Sequence, residues 1–239
     1  MKLAAHAKIN LTLEVLGVRP DGYHDLRSVV VPIPLHDDVA LEFAPDIVVD
    51  MPGDLPQEKN LAWRAAQALR RATGCTRGVQ IAIVKRIPAG AGLGGGSADA
   101  AAVLRGLNEL WDLHLPVPRL CELGAEVGSD VPALVLGGPV LMEGRGERVR
   151  PLAESPLADF PLPDLARLVV RTPPVFVSTP EVFREFREED RGLGANDLQP
   201  AACRLHPEIA QALAALEAEG CTGVQMSGSG SSVFGFTAK

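Results

Sequence analysis

The sequence predicts an α+β protein of two domains. Alternating or β-branched strand patterns are interleaved with alanine- and leucine-rich helical ones, and a glycine-rich loop separates one such strand from one such helix. A stretch rich in Pro, Leu and Ala but without periodicity, from Glu154 to Asp164, divides the chain into residues 1–155 and 156–239.

Ile9, Leu11, Leu13 and Val15 alternate with Asn10, Thr12 and Glu14, the pattern of one strand with a single buried face. Gly17 to Gly22, with Pro20 and Asp21, interrupts it before the apolar, β-branched run Leu26 to Leu35. Asn60 caps a helix running to Arg71, whose Leu61, Ala65, Ala68 and Leu69 share a face and whose stop is Gly74. A strand follows at Val79–Val84, then the glycine loop, then a helix over Ala98–Leu110 that Ser97 opens. Another helix begins at Pro118 and ends before Gly128, which leaves Asp130 in a loop. In the second half, a strand spans Leu165–Arg171, helices span Pro180–Phe186 and Pro207–Glu219, and strands at Gly223–Met226 and Val233–Phe236 flank a glycine turn.

Composition narrows the function. The 239 residues suffice for a substantial core, and 46% hydrophobic with 22% charged residues is ordinary globular usage. A formal charge of -7, with no basic patch beyond Arg70–Arg71 and Lys85–Arg86, speaks against nucleic acid. Cys75, Cys121, Cys203 and Cys221 are widely spaced and lack metal-ligand spacing, so they read as reduced thiols. Lys8 and Asn10 break the apolar character of the N-terminus, which implies neither secretion nor a membrane, and hence a cytoplasmic protein.

The loop Pro88-Ala89-Gly90-Ala91-Gly92-Leu93-Gly94-Gly95-Gly96-Ser97 holds five glycines in seven residues. Removing side chains lets successive backbone N–H groups converge on one anion, and a helix N-terminus behind them adds its positive dipole end. The plain alternative is a loop that needs glycine only for packing. A Walker loop is excluded because no lysine precedes Ser97. Gly90, Gly92 and Gly95 do fit Gly-x-Gly-x-x-Gly, but Asp112, at the distance of a ribose-binding acid, closes no convincing strand. Phosphoryl transfer therefore ranks above hydride transfer.

The string from Pro88 through Ser97-Ala98-Asp99-Ala100-Ala101 resembles the central motif of the galactokinase, homoserine, mevalonate and phosphomevalonate (GHMP) kinase superfamily. Ala7-Lys8-Ile9-Asn10-Leu11 with Arg19-Pro20-Asp21-Gly22-Tyr23-His24 is similar to the N-terminal motif of one branch, the 4-diphosphocytidyl-2-C-methyl-D-erythritol kinases. Gly128-Ser129-Asp130-Val131-Pro132 and Met226 to Phe234 complete the set in the right order.

The resemblance implies a GHMP fold, with a ferredoxin-like second domain and a left-handed βαβ crossover against the usual hand. It also implies an ATP- and magnesium-dependent kinase of the methylerythritol phosphate route to isoprenoid precursors, acting on the 2-hydroxyl of a cytidine diphosphate substrate. The chain would be a monomer or weak homodimer. Three departures stand out: Ala98 replaces a second serine, 186–196 is short, and the family pattern continues past Lys239, so a short or truncated second domain is expected.

By the same resemblance, Lys8 and Asp130 are the catalytic pair, and Pro88 to Ser97 with Asn60 bind ATP. Asn10, Tyr23, His24, Phe183, Gly228, Ser229 and Gly230 bind the acceptor, and the magnesium ligands are undetermined. Each has a plainer reading. Lys8 is an edge lysine, Asp130 a turn residue, Asn60 a helix cap, Asn10 a solvent-facing strand residue, Phe183 core, and Gly228–Gly230 a hairpin turn. Another GHMP small-molecule kinase, and a nucleotide-binding module without turnover, are the competing functions.

Overall fold

The computed structural model describes residues 1–238. Its first strand, β1 (Lys2–Asn10), stops where the alternating pattern continues, and the chain resumes as β2 (Glu14–Val18). The expectation of one strand through Val15 is therefore corrected. All four apolar residues are buried, but Ile9 and Leu11 enter the main core while Leu13 and Val15 enter a second one. Period two persists while the surface it meets changes.

β3 (His24–Ala44) is the spine of the larger sheet. Val30 pairs with Asn10 on one flank and Val140 on the other, and Ala40 likewise pairs with Lys2 and Ala82. Pro32 and Pro34 do not break this strand. The register with β1 shifts between His6 and Lys8, where Ala7 faces Ile33, Pro34 and Leu35, so β3 itself carries the bulge, and Pro32 lies opposite Lys8.

β4 (Ile47–Asp50) leads through α1 (Leu61–Thr73) to β5 (Gly78–Val84), which it meets in parallel. The α1 ends follow local chemistry. Asn60 accepts from the Ala62 N–H, and Gly74 closes the helix in the left-handed region at φ 67°.

The glycine loop then enters α2 (Gly95–Leu110), which starts two residues before Ser97, so Ser97 lies in the first turn rather than opening it. Alanines at 98 and 100–102 are buried and let α2 lie close to the sheet. At Gly106 a Cβ would come within 2.4 Å of Leu3 Cδ1. After α3 (Val117–Val127), Asp130 takes the N-cap position of the short α4 (Val131–Leu136), although its side chain makes no capping bond. The hairpin of β6 (Val140–Gly144) and β7 (Arg148–Pro151) completes the large sheet.

The smaller sheet orders β8 (Leu168–Arg171), β10 (Val233–Phe236) and β9 (Thr222–Met226) antiparallel, three strands among the described residues. Residues 165–167 form a single 3₁₀ turn, so the strand expected from Leu165 begins at Leu168. α5 (Thr179–Glu185), α6 (Gln199–Leu205) and α7 (Pro207–Ala218) cover it, followed by β9 (Thr222–Met226) and β10 (Val233–Phe236). Buried Asp197 joins the two parts. Its carboxylate accepts from Val15 N and Gly192 N, both at 2.8 Å. Among the described residues, no helix is long and apolar enough to cross a membrane.

Candidate active site

The glycine loop is fixed from both sides. Lys8 N of β1 donates to Leu93 O at 3.0 Å, Ser232 N donates to Ala91 O at 3.0 Å, and Ser227 Oγ donates to Gly92 O at 2.9 Å. The approach at Gly92 admits no side chain: its φ is +73°, and a Cβ would lie 2.1 Å from the Ser227 carbonyl oxygen. With the loop carbonyls taken, Ala98 N makes the first helical bond of α2 to Gly94 O. The N–H groups of Gly95, Gly96 and Ser97 have no acceptor among the described residues. Three free donors at the positive end of a 16-residue helix form a cradle suited to phosphate.

Beside this cradle lies a short polar network. Lys8 is 3% exposed, although β1 carries it at a sheet edge. Its ammonium donates to Asn10 Oδ1 at 2.7 Å and stands 3.5 Å from the Asp130 carboxylate. Asn10 Nδ2 donates to Ser28 Oγ at 2.7 Å, and Ser28 Oγ donates to Thr12 O, so the Asn10 amide is fixed in orientation. The last glycine turn faces the same network. A Cβ on Gly228 would lie 3.2 Å from Lys8 Nζ, and Asn196 Nδ2 holds the carbonyls of Met226 and Gly228. The Gly128–Asp130 turn packs on the first turn of α2, close to Ser97 Oγ.

The remaining expected residues fall in two places. Tyr23 is exposed, with the Arg145 guanidinium 4.6 Å from its ring centroid. His24 stacks on Phe183 at 4.7 Å between centroids, with Phe186 edge-on, and burial lowers its pKa. Ser229 Oγ pairs with Thr179 Oγ1 at 2.7 Å. Asn60 is farther from the network in function: its Oδ1 caps α1 and its Nδ2 meets Met51 Sδ, so both polar atoms are engaged. Ala98 is buried and lines a recess of about 120 Å³ with Val30 and Ala133.

A second buried cluster had no assigned role in the sequence. Lys85 Nζ donates to Asp37 at 2.5 Å and Asp99 at 2.6 Å, and Asp37 also accepts from Arg86 N and Ile87 N. The strand end before the glycine loop is thereby tied to the helix after it. Burial pushes the Asp99 carboxyl up to about 7 against the pull of Lys85, and its Oδ1 has no hydrogen-bond partner among the described residues. Burial opposes the Lys85 charge, yet Asp99 and Asp37 hold its pKa above the usual lysine value. Asp99 stands inside the quoted motif, but neither its spacing nor its type distinguishes it from a surface residue.

The GHMP kinases N terminal domain model matches residues 60–138 and the GHMP kinases C terminal model matches 177–239. A 4-diphosphocytidyl-2-C-methyl-D-erythritol kinase of Symbiobacterium thermophilum is 44% identical over 98% of this chain and 90% of its own. The chain belongs to the 4-diphosphocytidyl-2-C-methyl-D-erythritol kinase family. The kinase of Pelotomaculum thermopropionicum is also 44% identical, over 98% of this chain and 88% of its own. A crystal structure of a 4-(cytidine 5'-diphospho)-2C-methyl-D-erythritol kinase, 38% identical, superposes with a TM-score of 0.81 over 99% of this chain and 90% of that one. The mevalonate kinase of Methanococcus jannaschii, 12% identical, shares the fold at a TM-score of 0.69 over 100% of this chain and 90% of that one. The chain is thus a small-molecule kinase of the GHMP fold, and ATP is the phosphate donor of that family.

Proposed function

We propose that this kinase transfers the γ-phosphoryl group of ATP to the 2-hydroxyl of 4-diphosphocytidyl-2-C-methyl-D-erythritol, on the methylerythritol phosphate route to isoprenoid precursors. The observation that carries the chemistry is the pairing of a buried ammonium and a part-exposed carboxylate beside three unclaimed helix N–H groups. An alcohol is a weak nucleophile at neutral pH. Asp130 takes or orients its proton, and Lys8 pairs with Asp130 and stabilises charge on the transferring group. The phosphates lie on the cradle from Pro88 to Ser97. Asn60 contributes as the cap of α1, the one of its two expected roles that its contacts support.

Magnesium would be brought by the nucleotide. Among the described residues no group of three or more His, Cys, Asp or Glu side chains gathers as a cage, and Ser97 Oγ or a carboxylate at the site would be the oxygens to hold it. When bound, the ion neutralises phosphate charge. At the acceptor end, Tyr23, His24 and Phe183 recognise cytosine, Asn10 orients the substrate, and Gly228, Ser229 and Gly230 close over it. The test is ATP consumption across a panel of alcohols. The cytidyl acceptor should be turned over and mevalonate and homoserine should not; equal turnover of all three, or nucleotide binding without turnover, would overturn the assignment.

A further inference from the structure

The acceptor proposed above has its base at Tyr23 and its reacting hydroxyl at Lys8 and Asp130, so its diphosphate must lie between these two ends. One turn touches both. The loop joining β6 and β7 places Arg145 over the Tyr23 ring, with the guanidinium carbon 4.6 Å from the centroid. Its next residue, Gly146, has φ +111° and approaches the neighbour of Asp130 so closely that a Cβ would lie 2.1 Å from the Ser129 carbonyl oxygen. The turn therefore spans the interval that a diphosphate would occupy.

Charge singles out one residue of this region. Arg19 is shared among Asp21, Asp25 and Glu147, Arg148 pairs with Asp25, and Arg27 pairs with Glu143. The Arg145 guanidinium has no carboxylate within ion-pair distance among the described residues. It is also not needed to hold its own turn, since that task falls to its backbone N–H, which donates to Glu147 Oε2 at 2.5 Å. A guanidinium presents a planar fork of donors that matches phosphate oxygens, and it can do so while resting on an aromatic face. Stacked on one face of Tyr23, it leaves the other face for a base.

We infer that Arg145 is the residue that grips the diphosphate of the acceptor and so distinguishes a nucleoside diphosphate from a bare nucleoside. The inference rests on the acceptor reading given above. It also assigns Tyr23 and Arg145 to one recognition unit, with the base on the ring and the phosphates on the fork.

The test compares inhibition by CDP and by cytidine, against the cytidyl acceptor, for the wild-type kinase and Arg145→Gln. The variant should weaken CDP at least about tenfold, as expected for loss of a charge-assisted pair, and leave cytidine within about twofold. The acceptor KM should rise with the CDP constant while the ATP KM stays unchanged, and Arg145→Lys should recover part of the loss. Equal weakening of both inhibitors would mean that Arg145 acts only by supporting Tyr23, and no weakening would remove it from the site. Either result overturns the inference while wild-type turnover stands. A wild-type chain that turns over no cytidyl acceptor would instead fail the proposed function, a result read from the alcohol panel alone. An unchanged thermal midpoint in Arg145→Gln excludes misfolding as the cause.

Discussion

The Lys8 ammonium meets the Asp130 carboxylate at 3.5 Å with Lys8 almost fully buried and Asp130 about a third exposed (side-chain exposures 4% and 31%). Burial of the cation and access to the anion suit a base that is held in place by an ion pair yet can reach a hydroxyl. Asp130→Asn keeps the size and removes the base, so kcat should fall at least about a hundredfold while the ATP KM changes little. Lys8→Ala should behave similarly, and the double variant should be much less impaired than the product of the two effects. Near-wild-type kcat in Asp130→Asn would return Asp130 to the role of a turn residue.

On the magnesium proposal, excess chelator should abolish turnover and leave the fold intact, since no group of three or more His, Cys, Asp or Glu side chains gathers among the described residues. Ala98→Ser should change the magnesium dependence little, since Ala98 is buried in a recess with Val30 and Ala133. Full activity in chelator, measured by product formation, would exclude the metal.

Asp99 should leave a mark on the pH dependence of stability. Its carboxyl titrates near 7 in the fold against 3.8 in an unperturbed chain, so between these values the folded state holds a proton that the unfolded state has lost. Its contribution to stability is greatest below the lower value and falls as pH rises through the upper one. Asp99→Asn removes that titration. The unfolding free energy of the variant minus that of the wild type, from urea curves, should therefore become more positive from pH 5 to pH 8; a flat difference would refute the shift.

Asp197 is the fourth target. Asp197→Ala leaves the N–H groups of Val15 and Gly192 without their carboxylate, so stability should fall by about 2 to 3 kcal/mol, seen as a lower urea midpoint with an unchanged slope. A loss under about 0.5 kcal/mol would show that water replaces the carboxylate at both groups.

What the sequence makes legible is what local chemistry decides. Asn60 and Gly74 mark the ends of α1 because a cap and a left-handed stop act within a few residues of themselves. The glycine loop is visible because five glycines have few other uses. β3 is legible only in part: the run Leu26 to Leu35 is apparent, but nothing local shows that the strand continues to Ala44 past a bulge of its own between Pro32 and His36. The β6–β7 hairpin escapes notice because its strands are only five and four residues long, although Gly144-Arg145-Gly146 is a fair turn signal. α6 is a seven-residue helix beginning beside Pro200, too short for periodicity to speak. The site network is nearly invisible without tertiary structure, since the Asn10–Ser28 and Lys85–Asp99 contacts join distant strands and helices and no residue type announces its partner.

The short break between β1 and β2 also bears on how the chain is made. Leu13 and Val15 leave a ribosome early, but the core they complete waits for Val182, Met226 and Val233, and the Val15–Asp197 bond closes across 182 positions. Such non-local closure is slow compared with helix formation, so these two apolar side chains stay uncovered through most of synthesis. A fragment of residues 156–239 expressed alone would lack both and expose the surface they cover. Supplying 1–18 as a separate peptide should rescue it in part, which makes the N-terminal strand a natural place to split the enzyme into complementing pieces.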